Sequence, residues 1–130
     1  MRAVDTNVLV RLLTRDDQSQ VASAEAFVEK GAWISQLVLA ETTWVLGSAY
    51  GLDHGLIAKA VAMLLEHRTL AVEDADVVAA ALEHYRRRPA LGFSDCLVLA
   101  IATKAGHVPL GTFDRNLSKL PGTQRLVTGS

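Results

Sequence analysis

Short apolar runs, each closed by a capping residue or a glycine, divide this chain into alternating extended and helical segments. Arg2–Val4 reads as a brief strand ending at Asp5. Thr6 then caps a helix that places Val8, Leu9, Leu12 and Leu13 at helical spacing. A second helix is predicted from about Gln18 to Lys30, with Val21, Ala24, Phe27 and Val28 on one face and Gly31 as its stop. Ala32–Ser35 is a strand, and Ser35 caps a helix from about Gln36 to Tyr50 that Gly51 closes. Asp53 caps the next helix, whose apolar face is Ile57, Ala58, Val61, Leu64 and Leu65. Leu70–Glu73 is a third strand. Asp74 caps a helix carrying Val77, Val78, Ala81, Leu82 and Tyr85, which ends near Arg87 because the residue before Pro89 disfavours helix. Ser94 caps the last helix, Asp95–Ala105, which Gly106 closes; strands follow at about His107–Leu110 and Arg125–Val127. Strands alternating with helices predict an α/β fold, with a central parallel sheet of about four to five strands flanked by helices on both faces.

Length and composition narrow the class. With 130 residues, half of them hydrophobic, residues 1–130 should form one domain with a sizeable core. The apolar runs are too short and too interrupted to span a bilayer, and the start does not resemble a signal peptide, so a cytoplasmic protein is expected. The lone Cys96 excludes an internal disulfide and a cysteine-based zinc site. The histidines at 54, 67, 84 and 107 lack the i, i+4 pairing of a zinc helix. There is no glycine-rich phosphate loop and no Gly-x-Ser-x-Gly elbow. A net charge of -1 gives no overall basic footprint, so a nucleic-acid partner would need locally grouped cations.

Four acids stand out: Asp5, Glu41, Asp95 and Asp114. Each borders or interrupts an apolar stretch, with no matching set of lysines or arginines beside them. On its helix Glu41 falls among Leu37, Ala40, Trp44 and Val45, and Asp95 shares a face with Val98, Leu99 and Ala102. This pattern predicts carboxylates aimed at core faces, where an ionised group is costly without compensation. In open α/β sheets ligands bind beyond the carboxyl ends of the strands, where these acids are expected. A hard divalent cation would relieve their mutual repulsion, lower the pKa of a bound water and stabilise charge on a transferring phosphate. Individually each acid has an ordinary alternative: helix capping for Asp5, a favourable dipole position for Asp95, a turn for Asp114. Trp33 and Trp44 are expected to pack in the core.

The stretches Val4-Asp5-Thr6-Asn7-Val8-Leu9, Leu39-Ala40-Glu41-Thr42, Phe93-Ser94-Asp95-Cys96-Leu97 and Thr112-Phe113-Asp114 resemble the PIN-domain ribonucleases. Within them the chain is most similar to VapC toxins of bacterial toxin–antitoxin pairs. The resemblance implies a Mg²⁺- or Mn²⁺-dependent endoribonuclease that hydrolyses RNA through metal-activated water, leaving 5′-phosphate and 3′-hydroxyl ends. It implies Asp5 and Asp95 as direct metal ligands, with Glu41 and Asp114 acting through water or on a second ion. Thr6, Asn7 and Thr112 would orient water or phosphate. Many members carry a further Asp two residues after the last acid; here it is Asn116, which can offer a carbonyl oxygen but no charge. The same resemblance implies a homodimer and a cognate VapB-like antitoxin whose helix fills a groove near the site.

RNA would need cations nearby. Arg115, beside Asp114, is the leading candidate, followed by Arg11 and Arg86. Two other readings compete: a non-catalytic RNA- or protein-binding adaptor on the same fold, and an aspartyl-phosphate phosphatase. The latter needs a second acid where Asn7 stands.

Overall fold

The computed structural model describes residues 1–128; Gly129 and Ser130, whose origin the sequence leaves open, lie outside it. Three short strands, β1 (Arg2–Ala3), β2 (Ala32–Ile34) and β3 (Leu70–Val72), pair in parallel in that order. β4 (Leu110–Thr112) and β5 (Thr123–Arg125) form a second parallel pair. All five expected strands are therefore present, but among the described residues they hydrogen-bond as three and two. β1 has only two residues with which to build a ladder, and it uses both on β2.

Six helices separate and follow the strands: α1 (Thr6–Thr14), α2 (Gln18–Val28), α3 (Gln36–Ser48), α4 (His54–Glu66), α5 (Ala75–Arg87) and α6 (Phe93–Ala105). Their starts follow local chemistry. Ser35 and Asp53 cap as expected, accepting from the N–H groups of Val38 at 3.1 Å and Leu56 at 2.9 Å. At α1 the cap is Asp5 rather than Thr6, because the aspartate oxygen reaches the Val8 N–H at 3.2 Å and Thr6 is already helical. Helix α6 begins two residues earlier than expected, with Gly92 as its cap, which leaves Ser94 inside the first turn. Asp74 precedes α5 in a left-handed conformation and makes no side-chain cap bond. Gly106, at φ 80°, ends α6 where a side chain would be strained.

Two strands are displaced from the sequence reading. Pro109 has no N–H to give a ladder, so β4 starts after it instead of at His107. The Leu110 N–H donates to the Gly122 carbonyl at 2.8 Å and fixes Leu110 opposite Thr123, so β5 forms before the apolar Leu126-Val127 pair. Those two residues remain exposed.

The core gathers Leu9 from α1, Ile34 from β2, Leu39 and Leu46 from α3, Val61 from α4, Val78 from α5 and Leu99 from α6, all at most 2% exposed. No helix among the described residues is long and apolar enough to cross a membrane. Cys96 is fully buried between these layers, and burial, reinforced by the neighbouring Asp95 charge, pushes its thiol up to about 11.

A polar knot ties α1 to the end of α3. Arg11 donates to Tyr50 Oη at 2.9 Å and to both Asp16 oxygens, while its Nε donates to Gln20 at 2.6 Å. Tyr50 and Thr14 donate to Asp16 at 2.8 and 2.9 Å. Hydrogen bonding from Tyr50 first, then from Thr14, holds the Asp16 carboxyl below the usual carboxylate range. A depressed folded-state pKa contributes stability above the unfolded value, and that contribution is lost as pH falls through the folded one. Thermal melts should therefore show a drop in stability below about pH 4 that is smaller in Asp16→Asn. An identical acid limb in both proteins would remove the knot from the account.

Candidate active site

The four acids enter from four different elements. Asp5 follows β1 and caps α1, Glu41 lies on α3 one helical turn beyond its N-terminal segment, Asp95 occupies the first turn of α6, and Asp114 follows β4. α3 links the elements of the first three, since both α1 and α6 pack on it, whereas β4, ahead of Asp114, pairs with β5. One hydrogen bond joins the first two acids' surroundings directly: the Thr6 hydroxyl donates to Glu41 Oε2 at 3.0 Å.

The expectation of buried carboxylates is corrected. Asp5, Glu41 and Asp114 are exposed and Asp95 is half-buried. The cause is visible on α3, which is apolar nearly all round. Leu39, Thr42, Thr43 and Leu46 face inward, while Leu37 and Trp44, on either side of Glu41, are 69% and 71% exposed. The apolar stripe around Glu41 is surface, not core. Trp44 and, at 37% exposure, Trp33 accordingly depart from the core packing expected of them.

Three of these carboxylates are held by one oxygen each. Asp5 Oδ1 accepts from the Val8 N–H, and Glu41 Oε2 accepts from Thr6. Asp114 Oδ1 accepts from the N–H groups of Asn116 at 2.7 Å and Leu117 at 2.9 Å, opening a 3₁₀ turn over Leu117–Lys119. Among the described residues the second oxygen of each has no protein donor. Asp95 Oδ2 stands 3.5 Å from where a side chain on Gly92 would begin, an ordinary contact distance, and among the described residues its side chain accepts no hydrogen bond. Among the described residues none of the four acids forms an ion pair, although arginines and lysines elsewhere pair with Asp16, Glu25, Asp76 and Glu83.

The supporting residues fall close to their acids. Thr6 orients Glu41, and the Thr112 hydroxyl accepts the Asp114 N–H at 3.0 Å. Both therefore act on the carboxylate or its backbone rather than standing free for phosphate. Asn7 is exposed beside Thr6, and Asn116 is half-buried at the start of the 3₁₀ turn. Of the candidate cations, Arg115 is exposed without an ion pair among the described residues. Arg11 is committed to the knot with Asp16 and Tyr50, and Arg86 to Glu83 at 3.4 Å. Arg88, which closes the run Arg86-Arg87-Arg88 ahead of α6, is exposed and, among the described residues, unpaired.

The donor set is all oxygen, carboxylate and hydroxyl, which suits a hard divalent cation rather than zinc or copper. It is not a closed cage: among the described residues no three His, Cys, Asp or Glu side chains are grouped closely enough to hold an ion. The chemistry of the donors fits such a cation.

The model of the PIN domain matches residues 2–122 of this sequence, nearly the whole chain. The chain belongs to the PIN domain family. No curated protein and no solved structure matches it significantly. PIN domains are in general nuclease folds that use Mg²⁺ or Mn²⁺. In this PIN domain the alternating β/α order and the parallel β1-β2-β3 sheet supply the edge from which Asp5 and α3 emerge.

Proposed function

We propose that this PIN domain is a Mg²⁺- or Mn²⁺-dependent endoribonuclease that acts as the toxin of a toxin–antitoxin pair. The observation that carries the reading is the set of singly tethered carboxylates. Asp5, Glu41 and Asp114 are each oriented through one oxygen and keep the other free, and among the described residues none of the four acids is ion-paired, whereas Asp16, Glu25, Asp76 and Glu83 are. Asp5 and Asp95 would hold the cation directly, with Glu41 and Asp114 completing the site. When bound, such an ion supplies charge neutralisation at the phosphate and an acidified water. In this reading Thr6 would fix the orientation of Glu41, whose carboxylate it hydrogen-bonds, and the self-ordered Thr112–Asn116 loop that of Asp114. Arg115 and Asn7 would steady the phosphate through charge and hydrogen bonding. In-line attack by water forms a P–O bond, breaks the bond to the 3′ oxygen and leaves 5′-phosphate and 3′-hydroxyl ends.

The toxin assignment rests on the likeness to VapC; at the end of α1 away from Asp5, and lined by none of the four acids, a cleft of about 600 Å³ between α1, α2 and α4 has an apolar wall that includes Leu12, Leu13, Val28 and Leu64. Arg15, Glu29 and Arg68 rim it. An amphipathic antitoxin helix would find both its apolar stripe and its charged flanks matched there. Pairing as a homodimer would use apolar surface such as Val98 and Ile101, half-exposed on α6. A cytoplasmic location accords with this role.

The deciding experiment incubates purified protein with structured and unstructured RNA, with Mg²⁺ or Mn²⁺, with and without EDTA. Cleavage restored by added metal after chelation is expected. RNA binding without cleavage in either metal would favour an adaptor, a reading to which the capping role of Asp114 at the 3₁₀ turn also lends itself.

A further inference from the structure

We propose that Trp44 and the cavity beside it form a subsite for one unpaired nucleobase of the RNA strand, one helical turn from Glu41. The inference rests on the ribonuclease reading above and adds a base-contacting residue to it. Trp44 follows Glu41 by three residues on α3, so the two side chains share a helix face. At 71% exposure its indole forgoes most of the burial that a tryptophan ordinarily gains. Beside it a cavity of about 230 Å³ runs from the end of α3 to the start of α6, with Trp44, Gly47, Tyr85, Gly92 and Ser94 among its walls. Neither acid lines the cavity; Trp44, one turn from Glu41 on α3, and Ser94, beside Asp95 in sequence, are the wall residues next to them along the chain.

The chemistry of the walls selects the occupant. The indole offers a flat face for stacking, and Gly47 and Gly92 contribute no side chain to the walls. Ser48 is occupied, donating to the Trp44 carbonyl at 2.8 Å. Ser94 has no side-chain hydrogen bond among the described residues, so its hydroxyl is available to a base edge. Arg88 lies in the loop joining Tyr85 to Gly92, two residues of the cavity wall, and is exposed and unpaired among the described residues. A stacking face, a free hydroxyl and a nearby cation for phosphate are the elements of single-stranded RNA recognition. A second copy of this chain would use the indole but neither the slot nor the arginine. Because a base must leave its stack to enter, strands with unpaired bases beside the cut are the substrates this subsite admits.

The test compares wild type, Trp44→Ala and Trp44→Phe on an unstructured RNA, measuring KM and kcat separately. In parallel, RNA quenching of indole fluorescence is followed in a Trp33→Phe background, which leaves Trp44 as the only tryptophan. Expected are quenching of Trp44 by RNA, a rise in KM of about tenfold or more in Trp44→Ala with a much smaller change in kcat, and substantial recovery in Trp44→Phe. Far-ultraviolet circular dichroism checks that each variant folds. An unchanged KM in folded Trp44→Ala would overturn the subsite while leaving the nuclease reading intact. So would conversion of a wild-type dimer to a monomer with unchanged KM, which would assign the face to self-association. Wild type that neither binds nor cleaves RNA would overturn the nuclease reading, and the subsite with it.

Discussion

Asp5→Asn should fold as the parent does and lose RNA cleavage by about a thousandfold or more. Two roles meet in this residue, and the substitution separates them. As the cap of α1, Asp5 accepts the Val8 N–H, and asparagine caps a helix about as well as aspartate. As a ligand it contributes the negative charge that a hard cation needs, and asparagine does not. Loss of several kcal/mol of transition-state stabilisation corresponds to that rate change at about 1.36 kcal/mol per tenfold. Asp5→Ala removes both roles and should in addition cost about 1 kcal/mol of stability. The measurement pairs initial cleavage rates with thermal melts of the same preparations. Full activity in Asp5→Asn would show that capping is all Asp5 does.

Leu9→Ala should lower folding stability by about 3 kcal/mol. Leu9 is completely buried and lies one turn beyond the residues that carry Asp5 and Thr6. Truncation removes transfer free energy and leaves a cavity that α1 cannot close without moving the Thr6–Glu41 hydrogen bond. Native domains have only about 5–15 kcal/mol in total, so the shift in urea midpoint should be unmistakable. A change under about 1 kcal/mol would mean that α1 repacks freely and does not hold the site in place.

Much of this was legible in the residue order. The β/α alternation, the caps at Ser35 and Asp53, and the end of α5 ahead of Pro89 follow from local rules that tertiary context did not override. The four acids could be picked out because their types and order resemble a known family. Their burial could not be read. Periodicity shows that Leu37 and Trp44 flank Glu41, but on a helix that is apolar all round it does not say which side meets the core. The fate of the cations was equally hidden. Arg11 looked free beside the site until the fold brought Tyr50 and Asp16 to it from distant and neighbouring positions. The register of β5 was missed for a related reason: the Gly122 carbonyl, not hydropathy, decides where the pairing with β4 begins.

The division of the strands into a trio and a pair has a mechanical corollary. Asp114 is anchored on the C-terminal ribbon, whereas Asp5 and Glu41 belong to the part of the molecule built around β1 and β2. Among the described residues no backbone ladder stitches these parts together, so helix packing and the short connection from α6 into β4 set their spacing. An ion gripped from both sides would act as a rivet across that seam, making the loaded protein stiffer there than the free one.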